Sequence, residues 1–313
     1  MNMLIIFNPH ACEGRAYQKM MKVMPWLEMQ TNRVKFVSLS ELRELNRALQ
    51  EQVANGDVHL VVAGGDGTVH HVLNILIKRF SPPRLKKIIL GAVGLGSSND
   101  FHKPITPERQ MNGIPLTVDF NHVQWRDVMK VVYQTTTGRW KSRYVLLNAS
   151  CGITAQANWL FNHPDAILHF LKKHCTPLAI LYAALKTIFT FRGITVEFGE
   201  SRGSLKSHHV ANIAIVKSPH CSGSFCYDSP YSPQNGRFWV HICYETRCIN
   251  ILKLLIKLAH HRFMGEPGTK SLETSRFFLR GNRPFALEMD GEVVEIQEAH
   301  FEIVPKFIRV CQQ

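Results

Sequence analysis

The sequence predicts two domains: an α/β N-terminal domain with a parallel sheet and glycine-rich loops, then a mainly antiparallel β-sandwich C-terminal domain. Three observations carry this. The first part of the chain alternates short apolar strands with helical stripes, a pattern that implies a parallel sheet. One of those strands runs directly into Gly64-Gly65-Asp66-Gly67-Thr68. From about Val128 the pattern becomes short, partly alternating strands punctuated by Gly, Pro and Ser clusters. A chain of 313 residues is also more readily two domains than one.

Leu4–Phe7 is the first apolar strand, and Gly14–Met24 has helical composition until Pro25. Val34–Val37 is the next strand. Ser38-x-x-Glu41 reads as a capping box for a helix whose stripe is Leu42, Leu45, Leu49 and Val53, ending at Asn55-Gly56. Val58–Ala63 is the strand before the glycine turn. Val69, Val72, Leu73, Leu76, Ile77 and Phe80 then recur at helical spacing until Pro82-Pro83. Ile88–Val93 is a fourth strand, followed by a second small-residue loop, Gly94 to Asp100.

In a parallel sheet of this kind ligands bind at the carboxyl ends of the strands, and both small-residue loops lie there. Glycines let the backbone bend sharply and bring its N–H groups close to a ligand, and the helix N-terminus adds a positive dipole end. Together these make a phosphate cradle. An Asp in such a cradle would repel phosphate unless a divalent cation lies between them. A tight turn joining strand to helix is the bland alternative, and it would tolerate many other residues.

In the second half, Val128–Tyr133, Arg143–Leu147, Ile194–Phe198, Val210–Val216, Phe238–Tyr244, Phe277–Leu279 and Phe285–Met289 read as strands. Two helical segments interrupt them, Ile167–Phe191, broken at Pro177, and Arg247–Arg262. In the latter, Ile251, Leu254, Leu255 and Leu258 share one side with Lys253 and Lys257 nearby. That arrangement suits either packing against the sandwich or contact with an acidic bilayer.

Composition is that of an ordinary globular chain, 45% hydrophobic and 19% charged. A net charge of +13 favours an anionic partner, and the 16 His raise it further as pH falls. Nucleic acid is disfavoured, because the basic residues are spread out and no helix-turn-helix or aromatic ribonucleoprotein motif is present. The apolar run Met3–Phe7 is too short for a signal peptide, and no apolar run is long enough to span a bilayer. The expectation is a cytoplasmic protein, peripherally associated with the membrane. Cys221-x4-Cys226 and Cys243-x4-Cys248, beside His220 and His241, look superficially like a zinc site. The spacing is unlike structural zinc sites, and Cys243 in an alternating strand reads as a buried thiol.

Taken together, these landmarks resemble the diacylglycerol kinase catalytic-domain family, which includes bacterial lipid kinases and the sphingosine and ceramide kinases. The resemblance runs through Asn8-Pro9, Gly64-Gly65-Asp66-Gly67-Thr68, Gly96-Ser97-Ser98-Asn99-Asp100-Phe101 and Val118-Asp119-Phe120. It continues in Gly223-Ser224-Phe225, the Pro233–Gly236 turn and Asp290-Gly291-Glu292. The glycine-Asp motif alone is also similar to NAD kinases; the second loop and Asp-Gly-Glu favour lipid kinases. The resemblance implies a nucleotide-binding domain over 1–124, completed by a returning segment near 304–313, and a lipid-substrate domain over 125–303.

It also implies ATP as phosphoryl donor, with Mg2+, and a lipid hydroxyl at a membrane surface as acceptor; a homodimer is allowed. Asn8 and Ser38 would line the nucleotide site, and Gly64, Gly65, Asp66, Gly67, Thr68, Val69 and His70 would wrap the phosphates. Ser97 would hold a phosphate or the ribose, with Asn99 beside it. Asp66, Asp100 and Asp119 would organise magnesium and its waters. Asp290 and Glu292 correspond to the family's catalytic carboxylates in the cleft between domains, with Asp290 the first choice of base. By itself Asp290-Gly291 between apolar runs also reads as a hairpin turn.

Three departures stand out. His71 occupies a position where relatives usually have Glu, and Ser97 replaces the loop Thr. Many bacterial relatives carry an Asp in an Asp-Gly turn that helps hold a structural magnesium; this chain has Asn235-Gly236, whose amide oxygen ligates without charge. Two other readings remain open from sequence: a kinase of a soluble substrate such as NAD or a polyol, and a nucleotide-binding module without catalysis.

Overall fold

Strand β1 (Asn2–Phe7) is buried from Met3 to Phe7, as a strand covered on both faces must be. In the computed structural model the described residues are 2–12, 14–30, 33–54 and 58–312. They fall into two units. One takes the chain up to Arg126 together with the segment from Lys306; the other is Asp127–Pro305.

In the first unit, helix α1 (Ala16–Met29) runs past Pro25, where the sequence predicts a stop. The missing N–H of Pro25 removes one helical hydrogen bond. Burial of Met20, Val23 and Leu27 on a single face outweighs that loss. Strand β2 (Arg33–Ser38) includes Ser38, and helix α2 (Leu42–Ala54) starts four residues later, so Ser38 does not form the expected capping box. Its hydroxyl instead lies 2.6 Å from that of Ser40. The expected helix stop at Asn55-Gly56 lies outside the described residues.

Strand β3 (Val58–Gly64), helix α3 (Asp66–Arg79), the short α4 (Pro82–Leu85) and strand β4 (Ile88–Gly94) complete the parallel layer. The strand order is β2-β1-β3-β4, all parallel. Register sets Phe7 beside both Ser38 and Ala63, and Gly64 beside Gly94, so every following loop leaves from one edge. After β5 (Gln110–Met111), strand β6 (Ile114–Thr117) pairs antiparallel with the carboxyl half of β4. The chain's last strand pairs parallel with the other half, Arg309 against Ile89 and Val310 against Leu90.

The second unit is built mainly of antiparallel strands. Its elements in order are β7 (Val123–Thr135), β8 (Trp140–Val145), β9 (Asn148–Gly152), α5 (Ile153–Asn162), α6 (Ala166–His174) and α7 (Thr176–Thr190). Then come β10 (Ile194–Gly199), β11 (Lys206–Val210), β12 (Asn212–Val216), β13 (His220–Cys221), β14 (Phe225–Cys226) and β15 (Phe238–Cys243). Helix α8 (Cys248–Ala259), β16 (Thr269–Thr274), β17 (Arg276–Met289) and β18 (Glu292–Cys311) follow.

Strand β12 shows why this unit needs its helices. Ile213 and Ile215 face one core with Phe238, Phe277 and Phe301, while Ala214 and Val216 face a second core with Ile251, Leu254 and Leu258 of α8. Both faces of the sheet are therefore covered, which suits its continuous apolar run. The sequence reading had Val210–Val216 as one strand; Ala211 divides it, because β11 pairs with β10 while β12 pairs with β9 and β15. Conversely, Phe277–Leu279 and Phe285–Met289 belong to one long strand, irregular between Arg280 and Phe285. Helix α5 was not read from the sequence. The break in the long helical segment falls at Cys175, and Pro177 sits in the first turn of α7, where its missing N–H costs nothing.

Candidate functional site

The two glycine-rich loops of the first unit are packed against each other. A Cβ on Gly96 would stand 2.6 Å from the Cα of Gly65, so backbone meets backbone where a side chain has no room. The Leu95 N–H donates to the Gly64 carbonyl (2.8 Å), which fixes the loops in register. Gly65 caps α3 without a side-chain bond, and the helix begins at Asp66. Such an N-terminus presents backbone donors and a positive dipole end to an anion.

Asp66 turns its carboxylate across to the second loop. Its Oδ2 accepts the Asp100 N–H (3.1 Å) and its Oδ1 accepts the Phe101 N–H (2.9 Å). Asn99 holds the same loop from within, in a left-handed conformation with φ 53°. Its Oδ1 accepts the Gly96 N–H (2.9 Å) and its Nδ2 reaches the carbonyls of Gly94 and Gly96. Asn8 Nδ2 donates to Thr68 Oγ1 (2.9 Å), tying the loop after β1 to the first turn of α3. Ser97 is exposed on this loop, and Ser38 is half-buried at the same strand edge.

Not all of the expected phosphate-wrapping run is placed to do so. The Thr68 and Val69 N–H groups both bond the Gly65 carbonyl, and Val69 and His70 are buried. Gly65 and Gly67 flank Asp66 at the start of the helix. His71, at the position where the resemblance implies Glu, is exposed.

The aspartates expected to gather around magnesium are distributed unequally. Asp66 and Asp100 lie together, and Asp100 Oδ1 is paired with Lys103 Nζ at 2.6 Å. Asp119 is not with them. Strand β6 runs antiparallel to β4, so Asp119 lies beyond Thr117 on the side away from the loops. There it pairs with His122 Nδ1 (2.7 Å), which holds its carboxyl below the usual range. Asn235 belongs to the second unit. Among the described residues no three His, Cys, Asp or Glu side chains form a metal-ligand group. For a divalent ion the loop site offers the Asp66 carboxylate, each of whose oxygens also accepts a backbone N–H.

In the second unit, Asp290 and Gly291 form the two-residue turn joining β17 to β18, both with positive φ (47° and 94°), as a type I′ hairpin requires. The Asp290 side chain is inward and buried. It accepts the N–H groups of Leu146 (2.8 Å), Leu147 (3.0 Å) and Asn148 (3.0 Å). Glu292, two residues on, is exposed. Three further charged residues were not marked by sequence reading. Glu288 is buried against Ser150 Oγ (2.8 Å) and the Gly291 N–H (2.6 Å). Asp127 and Lys217 form a buried ion pair at 2.9 Å. The available signal was charge inside apolar runs: Glu288 within Phe285–Met289, and Lys217 directly after Ile213–Val216.

Residues 2–131 match the model of the diacylglycerol kinase catalytic domain. The match covers both glycine loops and ends within β7. Over 107 residues the chain is 31% identical to the mitochondrial acylglycerol kinase of Xenopus laevis; this is 34% of the chain and 24% of that protein's length. Two solved structures of a candidate diacylglycerol kinase from Bacillus anthracis strain Sterne superpose with TM-scores of 0.72 and 0.70, at 18% and 17% identity. They are covered over 95% and 97% of their length and cover all of this chain, so the two-domain diacylglycerol kinase fold extends through the second unit.

Proposed function

We propose that the chain is an ATP-dependent kinase that transfers the γ-phosphoryl group to a hydroxyl of a lipid, of the diacylglycerol or sphingoid class. The observation that carries this is the contact between Gly65 and Gly96, where two backbone loops meet at a helix N-terminus with no intervening side chain. Magnesium-bound ATP would supply the activated phosphoryl group. The protein's part is positioning and charge stabilisation. The N–H groups of Gly65 and Gly67 would meet phosphate oxygens, and the Asp66 carboxylate would supply negative charge to the ion. Asn8 and Asn99 keep both loops in place.

An alcohol needs a proton acceptor as its oxygen attacks phosphorus. Asp290 was the first candidate for that role, but both its oxygens already take backbone N–H bonds in a buried turn. Glu292 is exposed and takes over the proposal.

A lipid acceptor calls for contact with a bilayer, and none of the described helices is long and apolar enough to cross one. The face of α8 that the sequence suggested is not available, because Ile251, Leu254 and Leu258 pack into the core. Exposed apolar side chains lie instead on α6 (Ile167, Phe170) and α7 (Leu178, Leu181, Phe189). Lys172 and Lys173 flank them in the last turn of α6. Asp165 couples these helices: it caps α6 through the Leu168 N–H and binds Lys186 and Tyr182 of α7. Those bonds lower its carboxyl to about 2, the Leu168 N–H most. We place the peripheral, acidic-bilayer contact on this α6–α7 face.

The test is an assay with γ-labelled ATP on a total lipid extract, with the labelled product identified by mass spectrometry. Label in a soluble acceptor alone, with none in any lipid, would reject the reading.

A further inference from the structure

The Lys217 side chain is 1% exposed, and three oxygens from two segments of the chain surround its ammonium. They are Asp127 Oδ2 at 2.9 Å, Asn235 Oδ1 at 2.7 Å and the Arg237 carbonyl at 2.8 Å. An ammonium has three donors, so this set matches it one for one. The oxygens are themselves held in place. Asp127 Oδ2 also accepts the Gly236 N–H (2.8 Å), and the Asp127 N–H donates to the Pro233 carbonyl (2.8 Å). Asn235 Oδ1 accepts the Arg237 N–H (3.2 Å), while its Nδ2 donates to Glu273 Oε1 (2.9 Å). The Pro233–Arg237 turn is thus closed around one cation.

This is the turn in which the resemblance implies a structural magnesium, and the residues present do not fit one. Magnesium demands six oxygens in a near-ideal octahedron at about 2.0–2.1 Å. Here an ammonium already occupies the centre of the oxygen set, and a second cation beside it would face like-charge repulsion in a buried site. The charges close without a metal. A doubly charged ion suits two carboxylates; one ammonium suits one carboxylate, Asp127, and a neutral oxygen, Asn235.

We propose that Lys217 is the resident cation of the Asp127–Asn235–Arg237 site, and that it replaces a structural divalent ion there. The second unit therefore folds without metal at this turn. This rests on the second unit alone and holds whether or not the kinase reading does. Magnesium that arrives with ATP would belong to the first unit and be unaffected.

The test uses the full chain without nucleotide. After dialysis against metal-free buffer, elemental analysis should find far less than one equivalent of divalent metal, and EDTA should leave the melting temperature unchanged. About one equivalent of metal that Asn235→Ala removes, or a wild-type melting temperature that EDTA lowers and Asn235→Ala makes insensitive, would overturn the proposal. A second variant rebuilds the exchange: Lys217→Ser with Asn235→Asp should gain at least ~3 °C from millimolar magnesium beyond any wild-type response. If that variant folds and responds no more than wild type, the oxygen set is not a cation site and the proposal fails. If it does not fold even with magnesium present, the two wild-type measurements decide.

Discussion

Asp66 Oδ1 accepts the backbone N–H of Phe101 at 2.9 Å, 35 residues along the chain. With the second bond, to the Asp100 N–H, the aspartate of one glycine loop becomes the support of the other. Asp66→Asn is therefore more than a removal of charge. The amide keeps one acceptor oxygen for one N–H and turns its NH2 group toward the other, leaving that N–H unsatisfied. We expect a stability loss of about 1–3 kcal/mol and weaker ATP binding both with and without magnesium. Thermal unfolding and ATP titration, each with and without magnesium, check this. An effect on ATP affinity seen only with magnesium would mean the loop support is unimportant.

The same reasoning separates the two late carboxylates. Asp290→Asn should destabilise the second unit, because three buried N–H groups lose a carboxylate partner. About 1–3 kcal/mol per group left unsatisfied is the scale. Glu292→Gln should leave stability unchanged and lower turnover by at least ~100-fold, with little change in the Michaelis constant. Unfolding curves beside steady-state kinetics distinguish them. Normal turnover in Glu292→Gln would remove Glu292 as the proton acceptor.

Much of this was legible in the sequence. Strands buried on both faces read as apolar runs, and the glycine loops sat at the ends of two of them, so the α/β layer and its site edge could be placed. The Asp290-Gly291 turn was likewise visible in two residues. What sequence does not carry is the third dimension of polar side chains. Nothing in the run Val118-Asp119-Phe120 says that β6 leads away from the loops, and nothing local to Asp290 says that its carboxylate points inward at Leu146. The Pro25 helix and the buried face of α8 follow from tertiary packing, which overrides local signals.

Stability should fall as pH is lowered from 7 to 5. Burial pushes His102, bonded to Thr117 Oγ1, and His241, between Ser229 and Ser271, each down to about 3. The unfolded chain takes up protons near pH 6.5, whereas these two imidazoles stay neutral in the folded state until about 3. Their contribution is complete above 6.5 and is lost progressively below it, by up to about 1.4 kcal/mol per pH unit each. Melting temperatures in a pH series check this, and His102→Gln should flatten the slope. A flat profile between pH 7 and 5 would contradict it.

Co-sedimentation with vesicles should show binding to acidic bilayers that weakens at high salt. Phe170→Ser with Leu181→Ser should reduce it while leaving the melting temperature unchanged, since both side chains are about half exposed or more (61% and 49%). Equal binding to neutral and acidic vesicles would remove the electrostatic part. Unchanged binding by the variant would remove the α6–α7 face.

The central claim is that two abutting glycine loops hold ATP for transfer to a lipid, and Gly96→Ala tests it most directly. The added methyl would meet the Cα of Gly65 at 2.6 Å, so the backbone contact must open. The measurement is the transfer of label from γ-labelled ATP to lipid in vesicles, wild type against variant. The account predicts labelled lipid from the wild type and at least a tenfold loss in the variant, at unchanged secondary structure by circular dichroism. Absence of labelled lipid with the wild type, or equal transfer by both, would contradict it.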